Sequence, residues 1–300
     1  MAGGKTDPLD WFTLAYGSAF AILIGVLAGK LPTGFVLLLL NGSVALVAFV
    51  LLPKLRIGHM VLRFFGVTLP LLVFYLYYRE TMLVLQLPDI VWRDPQVAIV
   101  EMALWERLAP ISRSPAVGEI LALAYMSYVP LLLFVAAVML GKSGGPDHPA
   151  ETMVRRVCFA WGICYAVFMF VPVLGPRLLF PDLQDLRIGN GPFSAIARLN
   201  QDLGMLHGAA FPSAHIAATV VATWSAWCWR RVLFWGILPV SIGIAAGAIY
   251  LGYHYVTDVF AGGFVAVTAV FLDRLTIKRW GLSDIPPRAQ KGTASGGALP

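Results

Sequence analysis

The chain has 300 residues, of which 59% are hydrophobic and only 13% are charged, and its mean hydropathy is +0.77. A soluble domain carries about 25% charged residues, so this composition excludes an ordinary water-soluble protein. The formal net charge of +6 does not indicate a nucleic-acid partner, because no basic stretch is interleaved with stacking aromatic residues outside the apolar segments.

Apolar segments long enough to cross a bilayer recur along the chain. Runs of about 18 or more apolar residues are typical of transmembrane helices, and helix is favoured because lipid offers no partner for free backbone groups. The predicted fold class is therefore all-α, a polytopic integral membrane bundle of about eight transmembrane helices. The predicted spans are residues 11–29, 33–52, 60–78, 117–140, 153–174, 212–229, 233–251 and 255–273.

The two ends of the chain give further expectations. Asp7 and Asp10 lie where a signal peptide would be positively charged, so residues 11–29 are predicted to be a retained first helix. Residues 281–300 are rich in Pro, Gly, Ala and Ser, which predicts a disordered tail.

The distribution of Lys and Arg predicts the orientation of the bundle. With the N-terminus in the cytoplasm, fourteen basic residues fall on inner segments and eight on outer ones. The outer loop at 79–113 also carries five acidic residues that offset its basic ones. Because Lys and Arg collect in cytoplasmic loops, we expect both termini in the cytoplasm.

The segment HGAAFPSAHIAAT places Pro212, Ser213 and His215 at the start of the sixth predicted span. Proline suits the first turn of a helix, where an N–H has no intrahelical acceptor. The free amides of a helix N-terminus bind anions, and His215 would be close enough to give a proton to a leaving oxygen. A helix-capping serine beside an interfacial histidine accounts for the same pattern.

The segment YLGYHYVTDVFAGG places His254 and Asp258 four residues apart at the start of the eighth span. On a helix this spacing puts both on one face, so the carboxylate could hold one ring nitrogen and leave the other free to attack. Gly262 and Gly263 would let neighbouring helices approach closely. A structural His–Asp pair is the alternative, and no third ligand is placed to favour a metal site.

The third cluster is Arg177, which follows a Gly-Pro pair just past the fifth span. Its planar fork of donors matches phosphate oxygens, although for Arg177 taken alone an interfacial anchoring role is favoured. Together the three clusters offer a nucleophile, an acid and a fixed positive charge at helix ends on one predicted side. Phosphoryl transfer needs these parts, so we expect an enzyme that requires neither a metal nor another cofactor.

These motifs resemble those of the type 2 phosphatidic acid phosphatase superfamily, which also contains vanadium haloperoxidases. That family carries K-x6-R-P, P-S-G-H and S-R-x5-H-x3-D; FPSAH is similar to the second motif, and the His-x3-Asp spacing to the end of the third. The resemblance implies that His254 forms a phosphohistidine, that Asp258 orients it and that His215 is the general acid. It also implies that Ser213 and Arg177 bind the phosphate.

The chain departs from the family pattern at two basic positions. Phe170 stands at the lysine of the first motif and Leu178 at its proline, while Gly247-Ala248 replaces the Ser-Arg of the third. This combination resembles the inositolphosphorylceramide-synthase-like branch, whose members include lipid phosphotransferases acting on sphingolipids. The resemblance covers about residues 150–275.

The resemblance also implies a division of the chain. Residues 1–58 would be two additional N-terminal helices, residues 59–280 a membrane-embedded phosphatase or phosphotransferase with a six-helix core, and residues 281–300 a cytoplasmic tail. We expect a bacterial inner membrane with the site facing the periplasm, although a eukaryotic luminal site would look the same.

The residues leave several functions open. Water would resolve the phosphohistidine in a lipid-phosphate phosphatase, and a lipid alcohol would resolve it in a phosphotransferase. The expected partners are therefore a lipid phosphate or phosphodiester, a possible alcohol acceptor and the bilayer. A proton-coupled transporter is less favoured because the polar residues lie at helix ends, and a haloperoxidase would need a richer basic pocket.

Overall fold

The computed structural model describes residues 8–27, 34–85, 87, 90–99, 101, 114–140, 148–179, 191–204 and 207–279. These residues form helices and connecting turns, with one isolated parallel bridge between Val173 and Ala209 and no strand among them. The all-α prediction is confirmed. The predicted tail at 281–300 lies outside the described residues.

Within the described ranges, six single helices are long and apolar enough to cross a membrane, as predicted for those segments: α1, α2, α3, α6, α10 and α11. The helices, numbered in chain order, are α1 (Pro8–Leu27), α2 (Gly34–Arg56), α3 (Met60–Leu85), α4 (Pro115–Met126), α5 (Tyr128–Met139), α6 (Pro149–Phe170), α7 (Pro176–Leu179), α8 (Pro192–Gly204), α9 (Ala214–Trp229), α10 (Arg231–Tyr250) and α11 (Val256–Arg279).

The fourth predicted span is two helices rather than one. α4 and α5 are bent by 48° at Ser127, whose hydroxyl donates to the Ala124 carbonyl at 2.6 Å. Pro130 explains the break, because it has no N–H for the carbonyl of Met126 and its ring clashes there. The bend directs the neighbouring part of α4 and α5 toward the start of α9.

The sixth predicted span is shorter than expected. α9 has 16 residues, which rise about 24 Å against a hydrocarbon core of about 30 Å. Its N-terminus is fixed by Ser213, whose amide donates to the Asp258 carbonyl at 3.0 Å. The first residues of α9 therefore lie against the first turn of α11, close to His254 and Asp258.

α6 lies at the centre of the bundle and packs against α3, α5, α9 and α11. α11 also approaches the start of α9 closely. A Cβ built on Gly262 would lie only 2.5 Å from the Ser213 carbonyl oxygen, so no larger residue fits there. The expectation of a close helix approach is confirmed at Gly262. It is wrong at Gly263, where a Cβ would meet nothing within 4 Å.

Large apolar side chains remain exposed on the outside of the bundle. On α11, Phe260, Phe264, Val267 and Phe271 are 76%, 74%, 64% and 59% exposed. Their spacing places them along one face of the helix. A soluble monomer rarely exposes so continuous an apolar surface, and a bilayer covers it.

A buried ionic cluster joins α6 to α11 far from the candidate site. Asp273 accepts from Arg155 at 2.5 Å and from Arg156 at 2.7 Å, and all three side chains are 0–1% exposed. Asp273 lies fifteen residues along α11 from Asp258, which is about 22 Å of helix. This cluster therefore holds the opposite end of the two helices together.

We expect Asp273→Ala to destabilise the protein by about 3–5 kcal/mol, since it deprives two buried guanidinium groups of their shared carboxylate. Thermal unfolding of detergent-purified protein measures the change. Thr276→Ala on the same helix is the control, because the Thr276 hydroxyl bonds only locally, to the Leu272 carbonyl. Equal melting temperatures for Asp273→Ala and wild type would contradict the prediction.

Candidate active site

Three chain segments converge at one end of the bundle: the turn into α7, the start of α9 and the turn between α10 and α11. The Arg177 amide donates to the Gly252 carbonyl at 2.8 Å, and the Ser213 amide donates to the Asp258 carbonyl at 3.0 Å. Gly252 has φ +74°, a left-handed conformation that favours glycine. The structure thus brings together all three clusters singled out in the sequence.

His254 is held on both its backbone and its ring. Its amide donates to the Ala248 carbonyl at 2.9 Å, and its Nδ1 lies 2.9 Å from the Ala210 carbonyl oxygen. A carbonyl can only accept, so Nδ1 must carry the proton. The lone pair of the neutral ring is therefore on Nε2, while the residue as a whole is 4% exposed.

Asp258 contacts His254, but the two do not share a helix face as predicted. α11 begins at Val256, so His254 lies in the preceding turn, and its Nδ1 is 3.4 Å from Asp258 Oδ2. The same oxygen accepts the Tyr255 amide at 2.8 Å. Asp258 therefore closes the first turn of α11 and adds negative charge beside a ring that Ala210 already orients.

The start of α9 differs in detail from the prediction. Ser213 is the N-cap, with its Oγ accepting from the Ile216 amide at 3.4 Å, so Pro212 precedes the helix instead of occupying its first turn. Pro212 is buried and restricts the backbone directly before the N-cap residue. Within the described part of the chain, the Ala214 and His215 amides have no hydrogen-bond partner, which leaves two donors at a helix N-terminus that favours anions.

The His215 ring lies among aromatic side chains delivered by the bend between α4 and α5. Its ring centroid is 5.0 Å from that of Tyr125 and 4.4 Å from that of Tyr128. The Tyr125 hydroxyl lies 3.5 Å from His215 Nε2. The ring centroids of His215 and His254 are 5.8 Å apart, so the two imidazoles border one small space.

Two positions that carry basic residues in the family motifs are structurally unsuited to that role here. Phe170 is 78% exposed at the end of α6, so its side chain points away from the bundle. Ala248 is 0% exposed, and a Cβ built on the preceding Gly247 would lie 2.7 Å from the Leu121 carbonyl oxygen of α4. Close packing of α10 on α4 occupies the place of the motif's arginine.

Two buried carboxylates that the sequence did not single out hold the backbone of the site. Asp94 accepts from the Leu174 and Gly175 amides at 2.8 and 3.0 Å, just before Arg177. Glu101 accepts from the Val256 and Thr257 amides at 3.1 and 2.6 Å, at the start of α11.

Both carboxylates belong to the loop that was predicted to lie outside, where acidic residues were interpreted only as offsetting basic ones. The available signal was acidic side chains in a loop between apolar spans. Their targets are backbone amides 80 and 155 residues further along, which no local pattern identifies.

We expect Glu101→Ala to lower kcat/KM by about tenfold, because it removes a cap worth about 0.5–2 kcal/mol from the turn that carries His254. Glu101→Gln keeps an acceptor oxygen and should recover most of the loss. Steady-state kinetics distinguish the two variants, and thermal unfolding shows whether both are folded. An unchanged kcat/KM in the alanine variant would show that Glu101 does not position the site.

The Tyr255 phenol packs against Val173 and Ala210, next to His254 in the chain. It is 1% exposed, and its hydroxyl has no hydrogen-bond partner among the described residues. Burial raises the pKa of Tyr255, and the nearby carboxylates of Asp94, Asp258 and Glu101 raise it further. The phenol therefore stays protonated at neutral pH and can act only as a neutral donor or acceptor.

Comparison with known proteins identifies one family. A family model described as the PAP2 superfamily matches residues 98–272, more than half of the chain, and this region contains every predicted site residue. No curated protein and no solved structure gives a significant match.

Proposed function

The chain belongs to the PAP2 superfamily, and from this premise we propose that it is a membrane lipid-phosphate phosphatase or phosphotransferase working through a phosphohistidine on His254. Family membership with membrane-spanning helices supports a phosphatase-type activity on a lipid substrate. The assignment of individual roles is our proposal and rests on the geometry of the site.

One observation carries the proposal: the Ala210 carbonyl fixes the proton of His254 on Nδ1. The ring therefore presents the lone pair of Nε2, which is the form that a nucleophile needs. Asp258, 3.4 Å from Nδ1, stabilises the positive charge that develops on the ring during attack.

In the first step, His254 Nε2 bonds to phosphorus as the bond from phosphorus to the lipid oxygen breaks. His215, which takes up a proton when the anionic phosphate binds beside it, gives that proton to the lipid oxygen and becomes neutral. The Ala214 and His215 amides and the Ser213 hydroxyl, with the Arg177 side chain, bind the remaining phosphate oxygens.

In the second step, an incoming oxygen attacks phosphorus as the bond between phosphorus and Nε2 breaks. Neutral His215 takes the proton from that oxygen, which restores the starting state of both histidines. Water as the attacking group gives a phosphatase, and a lipid alcohol gives a phosphotransferase.

The phosphotransferase alternative is favoured by the two absent basic residues. A phosphomonoester carries about −1.5 to −2 charges at pH 7, whereas a phosphodiester carries only one. Phe170 and Ala248 leave less positive charge to balance a doubly charged phosphate. A phosphodiester donor and an alcohol acceptor, as in the inositolphosphorylceramide-synthase-like branch, therefore suit this site.

We further propose that the site faces the non-cytoplasmic side, with both termini in the cytoplasm of a bacterial inner membrane. The distribution of Lys and Arg supports this orientation. We also propose that α1 and α2 are additions to a six-helix core, since the family match begins at residue 98 and α1 packs chiefly on α2.

The test is a panel of labelled lipid phosphates and phosphodiesters, incubated with detergent-purified protein with and without a lipid alcohol. Free phosphate that is indifferent to the alcohol would identify a phosphatase. A new lipid that forms only with the alcohol would identify a phosphotransferase. No turnover in any arm would overturn the proposed function.

A further inference from the structure

An apolar groove runs along the side of the bundle between α9 and α10. Its volume is about 450 Å³, within the range of about 300–1,000 Å³ that small-molecule sites occupy. None of its lining residues is charged. Its walls include Ile216, Val220, Trp224, Leu238, Ile242 and Ala245.

The end of the groove that is lined by Ile216 and Thr219 lies near the candidate active site. Thr219 lines the groove and lies four residues after His215 on α9, so both share one face of the helix. Four residues of helix, about 6 Å, separate them. The groove therefore begins within about one helical turn of the residue that is proposed to contact the phosphate.

Aromatic rings line the opposite end of the groove. The ring centroids of Trp227 and Phe234 are 4.7 Å apart, and both residues line the groove. From Ile216 to Trp227 the helix rises about 16 Å, roughly half of the hydrocarbon core of about 30 Å. The groove therefore has the length that a hydrocarbon chain of one leaflet occupies.

The hydroxyl groups of the groove are not equivalent. Thr223 Oγ1 donates to the Thr219 carbonyl at 2.7 Å and pairs with Ser241 Oγ at 2.8 Å, and Ser241 Oγ donates to the Ile237 carbonyl at 3.0 Å. The Thr219 hydroxyl is buried and has no partner within the described residues. The hydroxyl groups of the lining are thus either buried or already hydrogen-bonded within the protein, so the groove suits a hydrocarbon chain better than a polar headgroup.

We propose that this groove holds one hydrocarbon chain of the lipid substrate while the phosphate lies between His215 and His254. This proposal rests on the proposed function. The surrounding lipid is as apolar as the groove, so a hydrocarbon chain gains no hydrophobic free energy by moving from the bilayer into the groove. The shape of the groove and its position beside the candidate site therefore select the chain.

The kinetic test compares Ala245→Phe, which fills the groove, with Ala246→Phe, which places the same side chain on the exposed side of α10. Each variant is assayed on a long-chain lipid phosphate and on p-nitrophenyl phosphate, which has no chain. For Ala245→Phe we expect the ratio of the two kcat/KM values to fall about tenfold or more, because displacement of the reacting group by about 1 Å costs up to about 100-fold. Ala246→Phe should leave the ratio at its wild-type value, and an unchanged ratio in both variants would overturn the proposal.

A labelling experiment on wild type needs no folded variant and no turnover. A lipid phosphate with a photoreactive group at the chain end should label peptides that contain Trp227 or Phe234. Excess unlabelled lipid phosphate should compete, and the corresponding diacylglycerol should not. Label spread over other lipid-facing helices would overturn the groove. Competed groove labelling by a protein that turns over none of the substrates would support the groove and overturn the proposed function.

Discussion

Replacing His254 with alanine should reduce turnover of a lipid phosphate by about 10⁴-fold or more, since we propose that this residue forms the covalent bond to phosphorus. Denaturation during steady-state turnover of a radiolabelled lipid should trap a phosphorus–nitrogen bond in wild type. That bond is labile to acid and stable to base, and no label should remain on His254→Ala.

His207→Ala is a matched control, because His207 is an exposed histidine of the same described end of the bundle. It should retain wild-type rates and wild-type labelling. Thermal unfolding of both variants shows whether they are folded. Full turnover by a folded His254→Ala protein would exclude the phosphohistidine mechanism.

His215→Ala should lower the rate on a natural lipid phosphate by about 10²–10⁴-fold, because an alkoxide leaving group needs a proton in the transition state. With p-nitrophenyl phosphate the leaving group is stable as an anion, so formation of the phosphohistidine should be nearly normal. Single-turnover kinetics on the two substrates measure this difference directly.

The outcome separates a general acid from a residue that merely packs against Tyr125 and Tyr128. Loss of packing would lower the rates on both substrates by the same factor. Equal losses would therefore contradict the assignment of His215 as the general acid. Asn at position 215 offers a second variant that keeps a polar side chain among the aromatic rings.

Much of the fold could be predicted because lipid allows few alternatives. Apolar segments of sufficient length must satisfy their own backbone groups, and helices do so. The errors arose where local chemistry overrides hydropathy. Pro130 divides one apolar segment into α4 and α5, and the Ser213 cap starts α9 after Pro212 instead of before it. Neither proline changes the hydropathy of its segment enough to show this.

The candidate side chains of the site could also be singled out, because histidine, aspartate and arginine are conspicuous in an apolar sequence, and the structure brings them to one end of the bundle. The groups that hold these side chains and their turns in place could not be identified from the sequence. The Ala210 carbonyl that orients His254 is a backbone group, present at every residue, and only the fold selects it. Asp94 and Glu101 bind amides far along the chain, and the spacing of residues contains no information about such contacts.

The pairing of α6 and α11 at both ends has a consequence for how the protein moves. The cluster of Asp273 with Arg155 and Arg156 joins them at one end, and the bond from Arg177 to Gly252 joins their neighbouring turns at the other. Alternating access requires one half of a bundle to rock against the other, and these two helices resist such rocking. The catalytic cycle should therefore run on a rigid frame, with the lipid arriving and departing sideways through the bilayer.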